Sequence, residues 1–189
     1  MAGLVLTVGM AVAVVLYWDE LRQIQNDGYL GAFLISVFGG ATIIAPIPMT
    51  PVVFALGTVM KPDLAPYLGP IFVGVAAGLG ETIGGISIYM TGLGGGTAAI
   101  NGIKHGRFQR LFAWVMDWMK RRGSLVLFVL SAVLNPFFYP AAIVAGATRF
   151  GLRKYLLICW AGKTIKGISV AAAGYWGLGA LLRAMGVPI

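Results

Sequence analysis

The sequence predicts an all-α integral membrane protein: an inverted repeat of a re-entrant hairpin plus a transmembrane helix, with an N-terminal anchor helix and a cytoplasmic amphipathic helix. Three observations lead there. The 189 residues are 59% hydrophobic and 11% charged, with a mean hydropathy of +0.88, where a soluble domain of this size exposes far more charge. Uncharged runs extend over Gly28–Met60, Leu64–Gly80, Thr82–Ile103 and Gly123–Thr148, and about 20 apolar residues suffice to cross a bilayer as a helix. Two of those runs are interrupted by prolines, and the blocks beside the interruptions recur in the same order in both halves.

Residues 1–27 read as an N-terminal transmembrane helix followed by an acidic connector. Ala2–Trp18 lacks the basic n-region and Ala-x-Ala exit of a signal peptide, so a retained anchor is expected. Residues 28–92 form the first repeat. Its stretch 28–60 holds 33 uncharged residues, too many for one straight crossing and few for two. Pro46, Pro48 and Pro51 interrupt it, and a continuous helix tolerates no such cluster because proline removes an amide donor and clashes with the preceding turn. Broken backbone at membrane depth requires cover from protein or a wet cavity, so a re-entrant hairpin is expected. A transmembrane helix over 66–91 follows, carrying the lone charge Glu81.

Residues 93–122 read as a glycine-rich linker and an interfacial helix. The run Gly92-Leu93-Gly94-Gly95-Gly96 suggests a flexible link; with no strand before it and no Gly-Lys-Ser/Thr after, it is no phosphate cradle. Phe108, Leu111, Phe112, Val115, Trp118 and Met119 then recur at helical spacing, with Arg107, Arg110, Asp117 and Lys120 mostly opposite. Such a stripe serves either a membrane surface or packing on the protein's own face. Residues 123–182 form the second repeat: a hairpin over 123–150, interrupted at Asn135-Pro136-Phe137-Phe138-Tyr139-Pro140, and a transmembrane helix over 155–182 with Lys163 and Lys166. Residues 183–189 are a tail.

Two aligned blocks link the halves. Pro51–Gly57 matches Pro140–Gly146, and Gly80-Glu81-Thr82-Ile83-Gly84-Gly85-Ile86-Ser87 matches Gly162-Lys163-Thr164-Ile165-Lys166-Gly167-Ile168-Ser169. Gly57, Gly80, Gly146 and Gly162 are the repeat glycines. A hairpin plus one span crosses an odd number of times, so the copies should be upside down relative to each other. The charge distribution agrees. Lys104–Arg122 and Arg149–Lys154 hold nine basic residues and one acidic, and are expected to be cytoplasmic; the remaining connectors hold three basic and four acidic. The net charge of +8 follows this grouping, so nucleic acid is not expected as a partner. One cysteine, Cys159, and one histidine, His105, allow neither an intrachain disulfide nor a metal cluster, and no metal or cofactor is expected. An unpaired charge at the bilayer centre costs about 2.5–3.5 kcal/mol, so Glu81 and Lys163, equivalent by the repeat, should pair or be hydrated. Either a salt bridge locking the spans or a conduction route fits that expectation.

These motifs resemble the DedA and VTT-domain (SNARE-associated) superfamily. Asn135-Pro136-Phe137-Phe138-Tyr139, Gly146 and Gly162-Lys163-Thr164-Ile165-Lys166 are most similar to its autophagy branch, the vacuole membrane proteins, and Gly80-Glu81 to the Gly-Glu or Gly-Asp of the family. The likeness covers roughly residues 36–175. It implies two facing re-entrant hairpins and either lipid scrambling or ion-coupled transport. The chain departs from the bacterial pattern: Thr50 stands at the acidic position of the first hairpin, no arginine lies between Arg122 and Arg149, and Tyr139 replaces the Asp that closes the Asn-Pro motif. Those departures favour passive lipid movement over proton coupling.

The leading expectation is therefore a lipid scramblase or lipid transporter with membrane phospholipids as partners. Thr50, Glu81, Asn135, Tyr139, Lys163 and Lys166 would form its headgroup path, beside breaks at Pro46, Pro48, Pro51, Pro136 and Pro140. The alternatives are a small-solute carrier coupled to protons or other ions, and a non-transporting membrane organiser that recruits partners through residues 106–121. No serine-histidine or paired-aspartate arrangement sits in the spans, so an enzyme is not expected. The expected location is the plasma (inner) membrane in a prokaryote or the endoplasmic reticulum in a eukaryote; the oligomeric state is left open.

Overall fold

A computed structural model describes residues 28–41, 49–62, 65–101, 107–135, 137–178 and 180. The expected anchor at 1–27, the prolines Pro46, Pro48 and Pro136 and the tail at 183–189 lie outside the described residues. Helix α1 spans Gly28–Ala41, α2 Met49–Val59, α3 Gly69–Asn101 after a 3-10 turn at Pro66–Leu68, α4 Arg107–Ala132, α5 Phe138–Ala147 and α6 Leu152–Ala173, which ends in a π-turn at Gly174–Leu178. No strand occurs among the described residues.

Two helical stretches, Pro66–Gly95 and Leu152–Gly177, are long and apolar enough to cross a membrane. They pack antiparallel through glycine. A side chain at Gly74 would run into the Ile168 backbone, and one at Gly78 into Thr164, so the two helices approach as closely as backbones allow. The apolar helices α1, α2 and α5 have 14, 11 and 10 residues, about 15–21 Å of helix, well short of a ~30 Å hydrocarbon core.

Glycines also fix how these shorter helices dock. A Cβ at Gly80 would meet the Phe33 carbonyl and the Ser36 side chain of α1; one at Gly162 would meet the Phe128 carbonyl and Ser131 of α4. Gly57 of α2 lies against the Ala171 carbonyl of α6, while Gly146 of α5 lies against the Tyr89 carbonyl of α3. Two buried clusters result. One gathers Ile88, Tyr89, Leu127, Ala142, Ala145, Tyr155 and Cys159 with their neighbours; the other gathers Ala32, Val53, Leu56, Val73, Ala77 and Ala171.

Three local expectations change. The glycine run 92–96 is not a link but part of α3: at Gly92 the Ile143 carbonyl of α5 occupies the place of a side chain, so packing overrides glycine's weak helix propensity. Pro51 and Pro140 do not interrupt helix; they sit in the first turns of α2 and α5, where the amides have no intrahelical acceptor and proline loses nothing. The interfacial helix and the first arm of the second hairpin form one element, α4, kinked at Arg122, where φ and ψ are −145° and 49°. Along α4, Val115 and Met119 are buried, whereas Trp114 and Trp118 face outward with their rings 4.7 Å apart.

Candidate functional site

Glu81 of α3 and Lys163 of α6 each follow one of the glycines that admit a neighbouring helix, so both are walled in by backbone. At 1.5 Å per residue, Glu81 lies about 18 Å along α3 and Lys163 about 17 Å along α6. Each distance is about half the thickness of a ~30 Å hydrocarbon core. Lys163 Nζ donates to Glu81 Oε1 at 2.6 Å, and Lys166 Nζ lies 2.7 Å from both Oε1 and Oε2. The lysines share a helix face because they are three residues apart. Their side chains are 2% and 13% exposed, that of Glu81 9%, so Lys166 is the accessible end of the cluster.

The cluster carries two ammonium groups on one carboxylate, a net charge of +1 with all three ionised. Part of that excess is met by Phe138, whose ring centroid is 3.9 Å from Lys163 Nζ; a buried cation over an aromatic face gains about 2 kcal/mol. Beside the cluster, two hydroxyls are committed to backbone, whereas Thr164 Oγ1 and Ser36 Oγ are buried without a hydrogen-bond partner. Thr82 Oγ1 donates to the Gly78 carbonyl at 2.7 Å, and Tyr155 Oη donates to the Gly85 carbonyl at 3.1 Å. The cluster sits between the two buried clusters: Ala77 and Ile88 flank Glu81 along α3, Cys159 and Ala171 flank Lys163 along α6.

The other expected path residues lie on or between the shorter helices. Asn135 Nδ2 donates to the Leu130 and Val133 carbonyls, both at 2.8 Å, and its Oδ1 accepts from the Phe137 amide at 2.9 Å. Its polar atoms thus close the break between α4 and α5. Tyr139 Oη donates to the Gly39 carbonyl of α1 at 3.4 Å, tying α5 to α1. Thr50 is half-buried in the first turn of α2.

The VTT-domain model matches residues 47–176, which takes in every helix from α2 to α6 and ends in the π-turn after α6. That match spans more than half of the chain and every residue of the ionic cluster. The chain belongs to the VTT-domain family, the DedA or SNARE-associated family. No curated protein and no solved structure gives a match. VTT-domain proteins are membrane proteins of transporter type, which agrees with the two long apolar helices. Within this VTT domain the sequence reading missed Phe138. It lies inside the Asn-Pro-Phe-Phe-Tyr motif, but its contact with Lys163 joins residues far apart in the chain. It also missed Tyr155, whose bond to Gly85 spans α3 and α6 and whose ring lies 4.8 Å from that of Tyr89.

Proposed function

We propose that the protein moves phospholipid between leaflets, with headgroups passing beside the Glu81–Lys163–Lys166 cluster between two facing re-entrant hairpins. The observation that carries this reading is the buried cluster with one cation more than it has anions. A lipid phosphate supplies the missing negative charge, and Lys166, the accessible end, is where it arrives.

The inverted repeat belongs to the same proposal and is supported by paired contacts. Gly57 against Ala171 has its counterpart in Gly146 against Tyr89; Gly174 against the Phe54 carbonyl has its counterpart in Gly92 against that of Ile143. In each case the aligned blocks, extended without gaps, relate the partners. The closed core positions pair likewise: Val73 with Tyr155, Ala77 with Cys159, Val53 with Ala142 and Leu56 with Ala145. An in-plane two-fold between Gly80 and Gly162 would put Glu81 and Lys163 on either side of it. The second arm of each hairpin, α2 or α5, then packs on the other copy's span while the first arm, α1 or α4, packs on its own, an arrangement that fits inverted-repeat transporters with broken elements near the midplane.

The test is dithionite bleaching of fluorescent lipid in vesicles. Reconstituted protein should expose inner-leaflet label well above the rate of empty vesicles, and Lys166→Met should slow it. Bleaching at the empty-vesicle rate overturns the proposal. The proton-coupled carrier predicts instead that a pH gradient drives solute uptake while lipid label stays protected.

A further inference from the structure

An open polar basin lies away from the ionic cluster, at the kink of α4. It has a volume of about 570 Å³ and is lined by Lys120, Arg121, Arg122 and Lys154, with the hydroxyl residues Ser124 and Thr148. Its remaining walls are apolar, among them Met119, Leu125 and Phe150. The kink makes this basin. With Arg122 out of helical conformation, the basic end of the interfacial segment folds beside the loop joining α5 to α6 rather than continuing past it. That loop is held by a Schellman closure: the Phe150 amide bonds the Ala145 carbonyl and the Arg149 amide the Gly146 carbonyl, both at 2.9 Å. Arg149 occupies the left-handed position, φ 52°, where glycine is usual. Lys154 Nζ rests 5.0 Å from the centre of the Phe150 ring, so one wall presents a cation on an apolar face.

Charge balance and depth identify the occupant. Asp117, in a 3.1 Å salt bridge with Arg121, is the acidic residue beside four cations. Along α6, Lys154 precedes Lys163 by nine residues, about 14 Å of helix. If the ionic cluster is near mid-membrane, the basin lies at the headgroup boundary of a ~30 Å core. Leading away from it, Leu125, Phe128 and Val129 form a stripe at three- and four-residue steps, 54%, 38% and 47% exposed. Trp114 and Trp118 are exposed on the other limb of the same helix. A soluble anion needs the cations alone; the apolar stripe continuous with them calls for an acyl chain as well.

We propose that this basin binds the phosphate headgroup of an anionic phospholipid whose acyl chain lies along Leu125, Phe128 and Val129. This site stands apart from the transport reading, because lipid bound here holds α4 and need not cross.

The test uses purified full-length protein in detergent. Dioctanoyl phosphatidic acid, dioctanoyl phosphatidylcholine, glycerol phosphate and inorganic phosphate are titrated separately, read by thermal unfolding and by retention of the lipid adduct in native mass spectrometry. Phosphatidic acid should raise the Tm by roughly 5 °C at saturation, and the other three by much less. Arg122→Gln/Lys154→Gln should weaken phosphatidic acid binding by roughly 25-fold, taking about 5-fold per cation at a membrane surface. Leu125→Ser/Val129→Ser should weaken it while leaving any response to inorganic phosphate unchanged. Arg153→Gln, outside the basin, should leave it as in the parent. Equal stabilisation by inorganic or glycerol phosphate would make this a free-anion site and overturn the proposal. So would undiminished lipid binding in the Arg122/Lys154 variant, whose own folding is checked by its Tm without lipid.

Discussion

Glu81→Gln removes the carboxylate that Lys163 and Lys166 share and leaves two ammonium groups facing each other. Each nitrogen lies within 2.7 Å of the same oxygen, so the two stand no more than about 5.3 Å apart, the sum of the two distances. At an effective dielectric of about 20 their repulsion is then about 3 kcal/mol or more. Removing one partner from a buried ionic group costs about 3–5 kcal/mol in general, and both figures describe the same loss. For a chain of this length that lowers the Tm by roughly 6–20 °C. Tryptophan fluorescence during heating in detergent reads it directly. The double variant Glu81→Gln/Lys163→Met returns the cluster to a single positive charge, now on Lys166 at the accessible end, and should recover at least half of the lost Tm. A Glu81→Gln protein that melts within about 2 °C of the parent would refute the reasoning. A double variant no more stable than the single one would do the same.

Gly57→Ala and Gly146→Ala should each destabilise by about 1–3 kcal/mol, and by similar amounts, because both methyls meet backbone carbonyls. Gly94→Ala, whose methyl would meet nothing within 4 Å, should leave the Tm unchanged or higher; a larger loss there than at Gly57 would discredit the docking scheme. Asn135→Ala forfeits three hydrogen bonds at the second break and should cost about 1–3 kcal/mol, with Asn135→Asp intermediate because the bond from the Phe137 amide survives. Arg149→Gly relieves a left-handed φ of 52° and should raise stability by about 0.5–1 kcal/mol once glycine's greater unfolded-state freedom is subtracted; a lower Tm would show that the arginine side chain itself stabilises the loop.

What the sequence disclosed follows from which signals are local. Uncharged runs act within a few residues, so the long apolar helices α3 and α6 could be placed from composition and spacing. The same local reading misjudged Gly92–Gly96, since weak propensity is visible in the sequence and the Ile143 carbonyl that Gly92 accommodates is not. It also put Trp118 on one stripe with Val115 and Met119. In the structure only the latter two are buried, because the protein covers part of the helix face and leaves the tryptophan outside. Glu81 and Lys163 were found as costly charges and related by the aligned blocks, but Phe138 beneath Lys163 and the commitment of Asn135 to backbone depend on how the helices dock.

The third charge decides how lock and path relate. In the aligned blocks Lys163 faces Glu81 as its counterpart, whereas Lys166 corresponds to Gly84, which packs against the Val37 carbonyl of α1. A lock needs one pair, and Glu81 with Lys163 on the Phe138 ring already provides it. A second buried cation adds desolvation cost, and apolar replacements of such groups are often neutral or stabilising. Lys166 is therefore surplus to stability and also the most accessible member of the cluster. In the proposed mechanism an arriving phosphate competes with Glu81 for Lys166, while Lys163 keeps hold of the carboxylate and the spans stay together. Lys166→Met should then keep or raise the Tm and slow lipid flux, whereas Lys163→Met should lower the Tm. Unchanged flux in Lys166→Met at normal stability would confine all three charges to the lock.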